Sequence, residues 1–342
     1  MRRTAWLPVL RAALLGALLA ALLAALLAGC GSSGARRVGG ASTRSATLVL
    51  DFTPNAVHAG IYAAIAQGYD LRAGVRLHVV APSASTDSIR LLETGRANFA
   101  ILDIHDLAIA RERGEPIVGI MSIVQRPLAA VIAAPPFGNP RALGGQSVGV
   151  TGAPSDTAVL DSILAGAGVA PGRVRPIRIG YAAVADLLAG RVAAATAFWN
   201  DEGVTLARRR PGFHIFRVDD YGAPAYPELV LCAAGPSLRA QPGLARSVIG
   251  ALARGYAEVL RDPRAGEQAL ESQVPGLDPK LVDAELRGLL AAFRSPGQRV
   301  GELDPARLGV WARWEARFGI VSRPPDVATM FASRLAAGGS AG

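Results

Sequence analysis

Short apolar runs alternate with helical stretches from residue 47 to residue 233, and that alternation constrains the fold more than any other feature of the chain. Leu48-Val49-Leu50, Leu77 to Val80, Phe99 to Leu102 and 117–124 read as strands. Between them, 56–67, the stretch from Thr86 to Gly95 and 105–112 read as helices. Strands separated by helices of about 10 to 15 residues predict parallel β-α-β units in an open α/β sheet. The pattern then restarts. Val131-Ile132, Ser147 to Thr151, Val174 to Ile179, Ala194 to Phe198 and 213–217 are strands; 155–164, 181–189 and 201–209 are helices. A last strand covers 229–233, and the remainder is mostly helical. The order predicts two α/β lobes, with 47–128 plus 229–342 forming lobe one and 129–228 forming lobe two. A chain this long outgrows one core. Ligands of open α/β sheets bind at the carboxyl ends of strands, so residues just after each strand are the candidate site.

The N-terminus predicts the compartment. Arg2, Arg3 and Arg11 precede 12–28, a stretch almost entirely of Ala and Leu. That length suits a signal-peptide core, although it also lies near the lower limit for a transmembrane helix. The run closes on Leu27-Ala28-Gly29-Cys30, which looks like a bacterial lipobox. The expectation is a lipoprotein signal peptide over 1–29, an acylated Cys30, and a Gly/Ser/Arg tether to residue 46. Such a protein sits outside the cytoplasm, held to the membrane by lipid.

Charge and cysteines exclude several classes. The formal net charge is +9, but the excess is Arg spread along the chain with no aromatic ladder beside it, so no nucleic-acid partner is expected. Cys232 lies in the apolar run Leu229-Val230-Leu231-Cys232 and reads as a buried hydrophobe. His58, His78, His105 and His214 have no metal-ligand spacing. No phosphate loop, dinucleotide fingerprint or nucleophile elbow is present. Neither a catalytic group, a cofactor nor a metal is expected.

Polar clusters do stand at the strand ends. Asp51, Asn55 and His58 supply hydrogen-bonding groups beside the flat face of Phe52, although Asn55 also reads as a helix cap. Asp103 and Asp106 follow the third strand. Ser155, Asp156 and Thr157 open a helix after Gly152, a geometry that can hold an anion on free amides. Trp199, Asn200 and Glu202 put a stacking face beside polar groups, the mix that a planar heterocycle needs. Tyr226 and Glu228 close the return crossover. Trp311, Trp314 and Phe318 recur at helical spacing and read as a packing face.

Several of these segments resemble one known group. Asp51-Phe52-Thr53-Pro54-Asn55, Gly68-Tyr69 and Gly95 to Ala100 look like the binding proteins for nitrate, sulfonates, taurine and thiamine-pyrimidine precursors. Phe198 to Gly203 and Pro227-Glu228-Leu229-Val230 are closer to the thiamine-precursor branch. The resemblance implies a two-lobed type II periplasmic-binding-protein fold and an ABC permease as partner. It implies a formylaminopyrimidine-like ligand, with Phe52 stacking on the ring, Asn55 bonding it and Glu202 pairing with its aminopyrimidine edge. The family usually carries Trp where this chain has Phe52. Sulfonate, nitrate or a riboflavin-like precursor are the alternative ligands. Fungal relatives are iron-dependent pyrimidine synthases with a cysteine-rich segment, whereas Gly222 to Glu228 holds no cysteine.

Overall fold

The computed structural model describes residues 43–84, 86–170 and 172–337. The leader and Cys30 lie outside the described residues. Among the described residues no helix is long and apolar enough to cross a membrane.

Among the described residues ten strands build two five-stranded sheets. The first contains β1 (Arg44–Val49), β2 (Val75–Val80), β3 (Phe99–Asp103), β4 (Ile117–Ser122) and β10 (Leu229–Ala234), in the order β2-β1-β3-β10-β4. The second contains β5 (Ala129–Ala133), β6 (Ser147–Val150), β7 (Arg175–Arg178), β8 (Ala194–Phe198) and β9 (His214–Arg217), in the order β7-β6-β8-β5-β9. β1 starts at Arg44, so residues 44 to 46 belong to the sheet and not to a tether.

The expected parallel units occur, β1 with β2 and β3 and β6 with β7 and β8, but neither sheet is purely parallel. β10 runs antiparallel between β3 and β4, and β5 runs antiparallel between β8 and β9. Each is the strand by which the chain enters a sheet from the other one. A strand arriving from the opposite lobe needs no helical crossover and can insert in the reverse direction. All of β5 is buried, and in β10 only Ala234 is partly exposed. Both therefore read as continuous apolar runs, as central strands covered on both faces do.

Edge strand β7 shows the opposite composition. Arg175, Pro176, Ile177 and Arg178 are all exposed, and charge plus proline keeps such an edge from pairing with another chain. The C-terminal helices follow a local rule. Asp262, Asp278 and Asp304 each cap a helix whose first residue is proline, and each carboxylate accepts a backbone N–H of the first turn. The long helix Pro242–Arg261 crosses Ala59–Ala66 closely. A Cβ on Gly255 would lie 2.0 Å from the Gly60 carbonyl oxygen, so only glycine permits the approach. That packing fixes the helix after β1, and with it the loop that carries Asp51 and Phe52. Trp311 and Trp314 are buried, as a packing face requires.

Candidate functional site

The carboxyl ends of β1, β3, β6 and β8 face a cavity of about 110 Å³. That is room for a few waters or for one substituted ring. Phe52 from the first lobe meets Tyr181 from the second edge-on, with centroids 4.5 Å apart, and the pair closes one wall. Ile89, Leu102, Val159 and Phe198 line the apolar part.

The polar part is acidic. Asp51, Asp103, Asp106, Asp156 and Glu202 line the cavity, and among the described residues no Lys, Arg or His does. Burial, the largest influence, lifts Glu202 to about 8, and Asp201 beside it pushes the same way. Its Oε2 accepts the Phe198 N–H at 3.0 Å. Burial likewise raises Asp106 to about 6, with Asp156 adding to the shift. Glu285 and Asp201, packed behind this wall, are raised to about 8 and about 6, chiefly by burial.

The helix start at Ser155 is not free for an anion. Asp106 Oδ1 accepts the Ser155 N–H at 3.0 Å. Asp156 Oδ2 accepts Gly152 N–H at 2.6 Å, Ala153 N–H at 2.9 Å and the Thr151 hydroxyl at 2.9 Å. The amides that would cradle a sulfonate already hold the chain's own carboxylates.

Three bonds tie the lobes across the cleft. Tyr181 donates its hydroxyl to the Asp51 carbonyl at 3.2 Å, Asn55 donates its amide to Asp201 at 2.7 Å, and Ser155 N–H reaches Asp106. The structure is therefore a closed form.

Of the residues singled out in the sequence, Asp51, Phe52, Asp103, Asp106, Ser155, Asp156 and Glu202 stand on the cavity wall. The others do not. Asn55 caps the turn at Val57 and holds Asp201. His58 is buried and bonds Asp51 at 3.0 Å, so it orients that carboxylate from behind. Thr157 is exposed on its helix. Trp199 donates to the Pro127 carbonyl and carries the Arg217 guanidinium over its ring at 4.2 Å. Asn200 is buried away from the cavity, without a hydrogen-bond partner for its amide. Tyr226 and Glu228 are wholly buried behind the floor. Tyr181, Thr151, Thr196 and Ser88 also line the cavity and were not singled out. Tyr181 follows β7, and Thr196 is two positions before Phe198 on the same face of β8, so the strand-end rule and the period of two both point to them.

The acidic wall predicts a pH dependence. An acid whose native pKa lies above its unfolded value keeps its proton in the folded state while the unfolded chain loses it, so stability falls as pH rises between the two values. For Glu202 and Glu285 that window runs from 4.5 to about 8. Ligand-free protein should lose about 5 °C or more of Tm between pH 5 and pH 8. Calorimetry across that range checks it; a flat or rising Tm contradicts the burial of these carboxyls.

A family model described as NMT1/THI5 like matches residues 55–266. The formylaminopyrimidine-binding protein of Halalkalibacterium halodurans is 30% identical over 265 residues, covering 75% of this chain and 80% of its own. The 4-amino-5-hydroxymethyl-2-methylpyrimidine phosphate synthase of Aspergillus parasiticus is 24% identical over 66% of this chain and 69% of its own. Among solved structures, the alkanesulfonate-binding protein SsuA from Xanthomonas axonopodis pv. citri, bound to MOPS, superposes with a TM-score of 0.68 at 15% identity, over 84% of this chain and 97% of that one. The fold is the two-lobed one of periplasmic binding proteins, and the chain belongs to the NMT1/THI5 like family.

Proposed function

We propose that this chain is the extracytoplasmic binding protein of an ABC importer, anchored through Cys30, and that it captures a thiamine-pyrimidine precursor of the formylaminopyrimidine type. The observation that carries the reading is the cavity itself: five carboxylate residues, an aromatic wall and, among the described residues, no basic side chain. An anion would meet acids there and no cationic partner among the described residues. An aminopyrimidine brings an exocyclic amine and a basic ring nitrogen, both partners for acids, and a flat face for Phe52. Glu202, poised near pH 8, can share a proton with the ring nitrogen and accept from the amine, a charge-assisted pair that is stronger than a neutral bond. The relative from Halalkalibacterium halodurans bears the name of such a binder, which supports the same ligand class. Capture rather than synthesis fits Gly222 to Glu228, which lacks the cysteines of the synthase branch.

Calorimetry with formylaminopyrimidine, an alkylsulfonate and riboflavin tests the cargo. Saturable binding of the pyrimidine alone is expected. Sulfonate binding with no pyrimidine heat overturns the ligand class, and riboflavin binding moves the cargo to a flavin precursor.

A further inference from the structure

A polar cluster reaches from the cavity wall, where Asp103 stands, into the buried floor behind it. Asp103 at the end of β3, His105 in the helix Ile104–Glu112 and Glu228 just ahead of β10 each offer one donor atom, and the three atoms lie within 4.8 Å of one another. The side chains of His105 and Glu228 are fully buried. Glu315, from the helix Pro305–Arg317, pairs with His105 Nδ1, while Nε2 bonds the Tyr226 hydroxyl at 3.0 Å, so an ion on Nε2 has to displace that hydroxyl. Glu228 Oε1 lies 3.8 Å from that Nε2, is buried, and has no hydrogen-bond partner. Its other oxygen accepts the N–H groups of Leu128 and Ala129, at the crossover between lobes.

Two carboxylates this close and this dry require something positive between them, either a shared proton or a metal ion. We propose that Asp103, His105 and Glu228 form a binding site for a divalent transition-metal ion of the zinc class. Imidazole with two carboxylates is a donor set that zinc takes, at about 2.0–2.2 Å from each ligand. An ion at that distance needs donors no more than about 4.4 Å apart, so the longest pair closes by a few tenths of an ångström. The supporting shell is already built. Glu315 fixes the ring tautomer from Nδ1, and the Leu128 and Ala129 amides orient Glu228, the pattern that steadies metal ligands elsewhere.

Protons balance the step. In the empty cluster His105 carries a proton on Nε2 and the two carboxyls share another. The ion displaces both, so two positive charges leave as two arrive. Asp103 also lines the ligand cavity, which gives the ion a way in. Once bound, it would lock the floor of the cavity to the crossover strand. The ligands sit at 103, 105 and 228, a separation that no spacing motif along the chain reveals.

Cobalt absorption and X-ray absorption spectroscopy on the full chain test the site. Chelator-treated protein should bind one Co²⁺ with the visible bands of a low-coordinate site, and one Zn²⁺ should displace it. Calorimetry in buffers of different ionisation heat should read about two protons released, with affinity rising with pH. The zinc edge should show an imidazole and no sulfur. Asp103→Asn and His105→Gln, with folding checked by circular dichroism, should each lower affinity at least a hundredfold. Absence of a cobalt spectrum in the wild-type chain leaves a shared proton only and overturns the proposal. Sulfur in the shell, or cobalt binding unchanged in both variants, puts the ion elsewhere and overturns it equally.

Discussion

Glu202→Gln is expected to weaken binding of formylaminopyrimidine about thirty- to a thousand-fold, a loss of about 2–4 kcal/mol. The substitution keeps the size and one oxygen acceptor, so packing against Phe198 changes little. It removes the group that can share a proton with the ring nitrogen. Because Glu202 is raised to about 8 first by burial and then by Asp201, the carboxyl enters complex formation mostly protonated at pH 7. It then yields its charge only where a cation compensates. A carboxamide has no such state. Its N–H₂ would instead face the ligand's own amine or ring hydrogen, and a buried donor facing a donor goes unpaired. Calorimetry at pH 7 on parent and variant measures the ratio. Equal affinity would make Glu202 only an acid at a helix start and would remove it from the site. A ligand that is an anion gives the opposite sign, since neutralising an acid next to it helps.

Strand and helix positions were legible because each rests on local pattern. The strand over Ala194–Phe198 and the helix that follows it came from alternation and a polar break, and both occur. Strand direction was not legible. Whether β5 and β10 run with or against their neighbours depends on the lobe from which the chain arrives, and the local pattern of an apolar run carries no direction. The site shows the same division. The rule that ligands meet strand ends brought Asp51, Phe52, Asp103, Asp106, Ser155, Asp156 and Glu202 to the cavity wall. It could not choose among adjacent residues at one strand end. Successive side chains of a strand point to opposite faces, and successive residues of a helix turn by a quarter of a circle or more. So Phe198 and Glu202 face the cavity while Trp199 turns to Pro127 and Arg217, and Asn200 turns into the core. The self-capping of the Ser155 helix start also lay beyond the sequence. It depends on Asp106, 49 positions away, reaching across the cleft.

Glu228→Ala, measured in chelator-treated and ligand-free protein, should cost about 3–5 kcal/mol of stability, the range for breaking a buried charged pair. Two losses combine. The Leu128 and Ala129 N–H groups, both engaged by Glu228 Oε2, lose their acceptor in a place that water reaches poorly. His105 loses one of its anionic neighbours while staying fully buried. Burial alone would hold the imidazole neutral; Glu315, Asp103 and Glu228 outweigh it and lift the pKa to about 10. A base raised in this way adds stability that is full below its unfolded value of about 6.5 and is lost as pH rises through about 10. The variant should therefore lose most at pH 6 to 7 and less toward pH 10. Glu228→Gln keeps an acceptor for the two amides and gives up only the charge, so about 1–3 kcal/mol is expected for it. Urea midpoints for the three proteins at pH 6.5 and at pH 9.5 measure both effects. If alanine and glutamine cost the same, the backbone bonds at the crossover contribute nothing. If neither loss shrinks at the higher pH, the charge on His105 is not what Glu228 holds in place.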